Sequence, residues 1–288
     1  MGIKIITDST SYIPKEFREL FDITVISLSV IFEDETFKEL EVDNDYFYDK
    51  LKNSMTVPTS SQPSIEELYN IFEKEIKNGN KIVAIFISSG VSGTYQSALL
   101  VKDMILENYP HAEIEVIDSK TICMHLGYAV LSAAKAAKSG NSMEEVVNSA
   151  KTVLKRSRFI FIPNTLEYLK RGGRIGEAQA LIGKIMQIKP ILTYSKGKVA
   201  ILSKVRTKNK ALMAIIDIML NDIKEHGLND IIVHHINDKD EAVKFAKIIE
   251  KRIGRTVEIC DIGPIVGLHV GPGALGIAYT TQSDLCLE

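Results

Sequence analysis

Residues 82–94 have the sequence IVAIFISSGVSGT, and their pattern is the main basis for predicting the fold. The first six residues of this stretch form a short apolar run, and such a run bounded by small polar residues is typical of a buried parallel strand. Over residues 94–109, Ala98, Val101 and Ile105 recur at helical spacing and share one face. The stretch therefore predicts a strand that leads through a glycine-rich turn into an amphipathic helix.

Two further apolar runs, one on each side of this stretch, end in the same way. Residues 3–6 lead into Thr7-Asp8-Ser9, and residues 114–117 lead into Asp118-Ser119. A strand, a helix and a second strand in this order are typical of a right-handed crossover within a parallel sheet. Ligands of an open parallel sheet bind beyond the carboxyl ends of its strands, so the sequence predicts a binding site at these polar strand ends.

The second half of the chain mixes pairing types. Residues 191–194 and 199–202 are strand-like, and the turn signal Ser195-Lys196-Gly197-Lys198 between them predicts a hairpin. A helical pattern over residues 127–155, interrupted near residues 140–142, precedes a new strand at 159–162. Later segments predict strands over residues 230–236, 257–261 and 275–279, with helices over residues 208–226 and 240–253.

These elements predict an α/β fold with two domains. A chain of 288 residues is long for one typical core of roughly 100–200 residues. We expect an N-terminal, Rossmann-like α/β domain with a parallel sheet over residues 1–158. We expect a C-terminal α/β sandwich with a mixed sheet over residues 159–288, and a ligand between the two domains.

Composition narrows the function classes. The formal net charge of −2 offers no field that would attract nucleic acid. Cys123, Cys260 and Cys286 form no CxxC pair, which disfavours a disulfide framework and a cysteine zinc site and indicates a reducing compartment. No segment reaches about 18 uninterrupted apolar residues. We therefore expect a cytoplasmic protein with no metal or other cofactor and no stable membrane insertion.

Two polar clusters in the first half are suited to an anion. Ser92 and Gly93 precede a predicted helix start, where backbone N–H groups lack partners and the helix dipole favours negative charge. Taken alone, this cluster is better explained as a plain helix cap. The second cluster, residues 59–62, lies between Pro58 and Pro63 and offers neutral donors, including Ser60, for a carboxylate.

A third cluster, residues 263–276, is rich in glycine and contains His269. It spells GxGxxG at residues 271–276 but lacks the helix, second strand and distal acid that a dinucleotide-binding unit requires. We expect a glycine-rich loop here, in which little neighbouring side-chain bulk would bury the imidazole. His269 is therefore a candidate site residue.

Five motifs, spread in order over nearly the whole chain, resemble those of the DegV family. The resemblance implies a protein that binds a long-chain fatty acid and presents it to a separate kinase subunit, which forms the acyl phosphate. It implies that the chain is not itself an enzyme. The motifs are Thr7-Asp8-Ser9, Ser60-Ser61-Gln62-Pro63-Ser64, Ser92-Gly93-Thr94-Tyr95-Gln96-Ser97-Ala98, residues 166–176 and residues 269–276.

The resemblance also implies roles for individual residues. Ser60, Ser92 and the backbone N–H of Gly93 would hold the fatty-acid carboxylate, with His269 close to the same head group. Ser60 departs from the family pattern, where this position is commonly Thr, but it keeps the hydroxyl. Three arginines would meet the kinase subunit: Arg171, Arg174 and Arg206.

Two alternatives from other classes remain open on sequence alone. A serine hydrolase or acyltransferase would use Ser92 as nucleophile, His269 as base and Asp8 or Asp118 as acid. The stretch over residues 90–94 misses the GxSxG elbow by one residue, which weighs against this alternative. A carrier of another small anion, such as a phosphorylated metabolite, would use the same helix-start loop without a kinase partner.

Overall fold

The computed structural model describes residues 2–182 and 188–285, so Cys286 lies outside the described residues. The strands are β1 (Ile3–Asp8), β2 (Thr24–Ile26), β3 (Ser29–Ile31), β4 (Thr36–Lys38), β5 (Thr59–Ser61), β6 (Lys81–Phe86), β7 (Ile114–Asp118), β8 (Ser157–Ile162), β9 (Lys189–Ser195), β10 (Lys198–Val205), β11 (Ile231–His235), β12 (Glu258–Asp261) and β13 (Leu275–Thr280). The α-helices are α1 (Lys15–Leu20), α2 (Asn44–Asn53), α3 (Ile65–Lys77), α4 (Thr94–Asn108), α5 (Cys123–Lys138), α6 (Met143–Lys155), α7 (Glu167–Arg171), α8 (Lys208–His226), α9 (Lys239–Ile253) and α10 (Pro264–Val270).

The first sheet is parallel and has the order β2-β1-β6-β7. The strands predicted at residues 3–6, 82–87 and 114–117 are β1, β6 and β7. Successive strands are added on opposite sides of the β1–β6 pair, so the order reverses there. Asp8, at the end of β1, accepts a 2.7 Å hydrogen bond from the backbone N–H of Ile87 just beyond β6. The crevice outside these two strand ends is where an open α/β sheet binds its ligand.

The second sheet is mixed and has the order β10-β9-β8-β13-β11-β12. β11 and β12 are parallel, whereas every other neighbouring pair in this sheet is antiparallel. The predicted hairpin is confirmed as β9 and β10. Lys196 and Gly197 at its tip have φ values of 49° and 81°, the left-handed pair that a tight hairpin turn needs.

Helices cover the two sheets and also separate them. α3 and α4 pack on the parallel sheet, with Phe72 and Ile105 among the fully buried side chains. α8 and α9 pack on the mixed sheet in a second core that contains Ile215 and Phe245. α5 contacts strands of both sheets, and the core around it includes residues from both halves of the chain. The predicted two-sheet α/β fold is confirmed, and the boundary between residues 158 and 159 stays a prediction.

A small antiparallel sheet with the order β4-β3-β5 was not expected from the sequence. Each of its strands has three residues, which is too short to establish an alternating pattern. Ser60 is the central residue of β5 and pairs with Val30 of β3. This sheet therefore fixes the backbone of one predicted site residue.

The expectation of a loop over residues 263–276 is wrong, because its first part forms α10. Gly263 is the N-cap, Pro264 occupies the first turn, and Gly271 ends the helix with a φ of 89°. Proline inside the start and glycine just past the end are the usual terminators of a short helix. The glycines thus bound the helix that carries His269.

Candidate functional site

A cavity of about 120 Å³ lies between the N-terminal and C-terminal halves of the chain. Its wall combines apolar residues with polar ones, and it contains all four residues predicted to hold a carboxylate. Ser60 comes from β5, Ser92 and Gly93 from the start of α4, and His269 from α10. The structure brings these residues together around one space, and their contact with a ligand stays a prediction.

Ser60 and His269 form a direct pair across the two halves of the chain. The hydroxyl of Ser60 lies 2.8 Å from Nε2 of His269. Burial, with a smaller contribution from the charge of Arg174, lowers the pKa of His269 to about 4. The imidazole is therefore neutral near pH 7, with one nitrogen as donor and the other as acceptor.

On its Nδ1 side, the His269 ring lies against Gly172, the residue that follows α7. Nδ1 of His269 is buried and has no hydrogen-bond partner among the described residues. A Cβ atom placed on Gly172 would lie only 2.3 Å from this nitrogen. Because Gly172 has an ordinary φ of −71°, the glycine is needed here for close approach, not for backbone freedom.

Gly93 is constrained by the side chain of Gln62, the residue that follows β5. A Cβ atom at Gly93 would lie 2.1 Å from Oε1 of Gln62. Gln62 in turn donates a 2.5 Å hydrogen bond from Nε2 to the hydroxyl of Ser97 on α4. The backbone N–H of Gly93 thus remains close to the cavity, at the helix end where N–H groups lack intrahelical partners.

Ser92 also takes part in the start of α4. Its hydroxyl oxygen accepts a 3.3 Å hydrogen bond from the backbone N–H of Thr94 and lies 2.9 Å from the Thr94 hydroxyl. The helix-cap interpretation of this cluster is therefore supported by these contacts. The Ser92 side chain still lines the cavity, so its hydroxyl can contact a ligand from the same position.

The hairpin turn of the mixed sheet supports the loop before α4. Ser88 donates a 2.6 Å hydrogen bond to the carbonyl oxygen of Gly197, and its oxygen accepts one from the backbone N–H of Gly90. Gly90 packs so closely on Gly197 that a Cβ atom there would lie 2.3 Å from the same carbonyl oxygen. The helix-start loop is thus held by both halves of the chain.

The three arginines predicted to meet a kinase occupy different environments. Arg171 and Arg206 are exposed. Arg174 is half-buried in the cavity wall, where it donates hydrogen bonds to the carbonyl oxygens of Val91 at 3.1 Å and Gly172 at 2.5 Å. Its guanidinium therefore places a positive charge beside the four predicted head-group residues.

A second, smaller cavity of about 20 Å³ adjoins the first. The two share Ile122, Val266 and Val270 in their walls. Apolar side chains make up most of the second wall, including Phe159 and Phe161, whose rings stack with centroids 5.2 Å apart. A cavity with polar residues in its wall therefore lies next to an apolar one.

The contacts do not connect Ser92, His269 and an aspartate as a catalytic triad. Nε2 of His269 faces Ser60, not Ser92. Asp8 accepts hydrogen bonds from Ile87 and Thr10, and Asp118 accepts them from Ser89 and Lys120. A triad is defined by connected geometry, so these contacts weigh against the hydrolase alternative.

Residues 2–182 and 188–285 contain neither a membrane-spanning helix nor a cluster of metal-binding side chains. No helix there combines the length and apolar character needed to cross a bilayer. Within the same ranges, His, Cys, Asp and Glu side chains form no group of three or more that could hold a metal ion.

Comparison with known proteins gives matches over the full length of the chain. A DegV domain-containing protein of Clostridium acetobutylicum is 48% identical over 285 residues, which cover 99% of this chain and 100% of the relative. The crystal structure of DegV from Bacillus subtilis, described as a fatty acid binding protein, has a TM-score of 0.85 and 35% identity, with 98% of this chain and 99% of that chain covered.

A second solved structure is similar to this fold. A stearic acid-binding protein from Eubacterium ventriosum has a TM-score of 0.87 and 27% identity, with 97% of this chain and 98% of that chain covered. The family model described as an uncharacterised protein of the DegV family matches residues 2–282. The resemblance found in the five sequence motifs is thereby confirmed, and the chain belongs to the DegV family.

Proposed function

We propose that this protein binds one long-chain fatty acid, with the carboxylate in the polar cavity and the hydrocarbon chain directed toward the apolar cavity. The observation that carries the proposal is that these two cavities lie side by side and share Ile122, Val266 and Val270 in their walls. An amphipathic ligand with one polar end matches this arrangement, and related structures are described as binding fatty acids. The proposed role is binding, not catalysis.

The hydrocarbon chain supplies most of the affinity. Burial of each CH₂ group contributes about 0.8 kcal/mol, so a sixteen-carbon fatty acid gains roughly 10 kcal/mol before ordering costs. A carboxylate buried without donors would lose several kcal/mol of hydration. The polar residues at the head group therefore set the orientation of the ligand and offset that loss.

Neutral donors and one cation meet the carboxylate in this proposal. Ser60 donates its hydroxyl proton to the carboxylate while its oxygen accepts a hydrogen bond from Nε2–H of His269. The Ser92 hydroxyl and the Gly93 N–H provide further donors. Arg174, already held by two carbonyl oxygens, adds a positive charge that favours the ionised ligand.

Titration calorimetry with palmitate tests the head-group contacts. Ser92→Ala is expected to weaken binding by roughly 1–3 kcal/mol, because a charged acceptor loses one donor. Ser139→Ala, an exposed serine at the end of α5, is the matched control and should bind as the original protein does. Unchanged affinity in Ser92→Ala would remove Ser92 from the site.

The same titration separates a fatty acid from another small anion. Bound palmitate should be displaced by a second long-chain fatty acid and left in place by phosphate esters, which have no chain to fill the apolar cavity. Displacement by phosphate esters at comparable concentration would favour the small-anion carrier instead.

The second part of the proposal is presentation of the fatty acid to a separate kinase subunit in the cytoplasm. Arg171 and Arg206 are exposed and suited to a phosphorylated or acidic partner surface, and Arg174 links that surface to the head group. Cys123 and Cys260 are free thiols, which supports a reducing compartment.

Charge reversal at the exposed arginine tests the docking role. Arg171→Glu should reduce kinase-dependent formation of acyl phosphate and leave palmitate affinity unchanged, because its side chain lies outside the cavity wall. Loss of both properties would assign Arg171 to the fold or the pocket.

A further inference from the structure

The wall of the apolar cavity contains a buried histidine that the head-group proposal does not use. His234 lies on β11, is 2% exposed, and pairs with Gly276 of β13. Its Nε2 accepts a 3.4 Å hydrogen bond from the backbone N–H of Met124. Since a backbone N–H can only donate, Nε2 carries no proton in this contact.

The protonation state of His234 follows from its surroundings. Burial, with a smaller contribution from His235, lowers the pKa of His234 to about 3, so the ring is neutral near pH 7. A neutral imidazole whose Nε2 is an acceptor must carry its proton on Nδ1. His234 therefore has a buried N–H donor on its second nitrogen.

The Nδ1–H group of His234 has no acceptor in the part of the chain that the structure describes. Nδ1 of His234 is buried and makes no hydrogen bond among the described residues. The ring meets Phe159 edge to face with centroids 5.5 Å apart, a contact that supplies no oxygen acceptor. An unsatisfied buried donor costs about 1–3 kcal/mol and is rare in native proteins.

The contact with Met124 accounts for Nε2 of His234 but not for Nδ1. α5 has no side-chain cap at Ile122, and Nε2 of His234 satisfies one of the free N–H groups in its first turn. Any acceptor would serve that purpose. A donor left without a partner, on a side chain in the wall of the apolar cavity, points instead to an acceptor on the ligand.

We propose that His234 determines specificity by donating a hydrogen bond from Nδ1 to an oxygen carried along the acyl chain. The preferred ligands are then long-chain fatty acids with a hydroxyl or oxo group on the chain. The inference rests on the proposed fatty-acid function and deepens it. An oxygen placed elsewhere in the apolar cavity would lose its hydration without compensation, so its position along the chain should matter.

Competition binding with stearate and a set of hydroxystearates that differ in hydroxyl position tests this inference. At least one positional isomer should bind about fivefold or more tightly than stearate, the gain of one neutral hydrogen bond. His234→Phe should abolish that preference, measured as the ratio of hydroxystearate affinity to stearate affinity within the variant. His234→Gln, which keeps an acceptor for Met124 and a donor for the ligand, should retain part of the preference.

The outcomes separate the two proposals. If stearate binds and every hydroxystearate binds more weakly, or if His234→Phe keeps the preference, the role of His234 is overturned while the fatty-acid function stands. If neither stearate nor any hydroxystearate binds, the fatty-acid function itself fails. Nitrogen NMR of the His234 ring gives a second readout, because its Nδ1 signal should shift with the preferred hydroxystearate and not with stearate.

Discussion

The side chains of Ser60 and His269 lie 209 positions apart in the sequence and form one hydrogen-bonded pair. A serine hydroxyl rotates freely and can donate in any direction, so it binds a carboxylate best when a neighbour fixes its proton. His269 is positioned to do this while remaining neutral, since burial suppresses its charged form. The pair supplies an oriented donor without placing a second cation beside Arg174.

We predict that His269 stays neutral down to about pH 4 in the folded protein. NMR titration should give a pKa of about 4, assigned by loss of the signal in His269→Gln. Between that value and the ordinary 6.5, the unfolded chain binds more protons, so the stability that His269 contributes should fall as pH falls through this window. A midpoint near 6.5 would contradict the buried, neutral ring.

The close approach of Gly172 to His269 gives a second prediction. Gly172→Ala should displace the imidazole, because the added methyl group would lie 2.3 Å from Nδ1. Palmitate affinity should fall several-fold, by the equivalent of roughly one hydrogen bond. Lys170→Ala, an exposed change in α7, is the control. Equal affinity in both variants would show that the ring position does not matter for binding.

At the scale of elements, α10 depends on a carboxylate from the other half of the chain. Oε1 of Glu39 accepts 2.9 Å hydrogen bonds from the backbone N–H of Ile265 and from the hydroxyl of Tyr12. Glu39 thus satisfies a free N–H in the first turn of the helix that carries His269. This contact joins the start of α10 to the N-terminal half.

The buried Glu39 gives the third prediction. Burial raises the pKa of Glu39 to about 7 from 4.5, so the folded state binds more protons than the unfolded state between these values. Its contribution to stability should therefore decrease as pH rises from 4.5 to 7. Urea unfolding over this range should show a weaker decrease in Glu39→Gln. An identical pH profile in both proteins would exclude Glu39 as the source.

The main strands could be predicted because their physical pattern is local. β1, β6 and β7 are apolar runs that end at small polar residues, and the β9–β10 hairpin has a turn that requires left-handed residues. α10 was missed because its glycines and proline, which bound a seven-residue helix, resemble a loop in composition. The strands β2 to β5 have three residues each, which is too few for a local period, and β2 and β5 are defined by pairing with β1 and β3.

The candidate site was only partly predictable for the same reason. Ser92 and Gly93 stand out because the helix start is a local feature. The 2.8 Å contact between Ser60 and His269 depends on how two sheets pack, and the need for Gly172 depends on where the imidazole lies. His234 did carry a signal, since a histidine within an apolar strand is a polar group that must find a partner.

For the whole molecule, the central feature is that both halves of the chain contribute to the proposed ligand site. The polar cavity contains residues from β5 and α4 as well as from β9 and α10, and α5 packs between the sheets. A bound fatty acid would therefore contact both halves and add to the core between them. We expect one fatty acid for each chain, because the polar and apolar cavities lie side by side and form a single proposed site.

Native mass spectrometry of the purified protein, combined with mass spectrometry of its organic extract, shows whether each chain carries a fatty acid. We expect one long-chain fatty acid for each chain, released by denaturation and identified in the extract. A lipid-free protein that also takes up no added long-chain fatty acid would contradict this expectation.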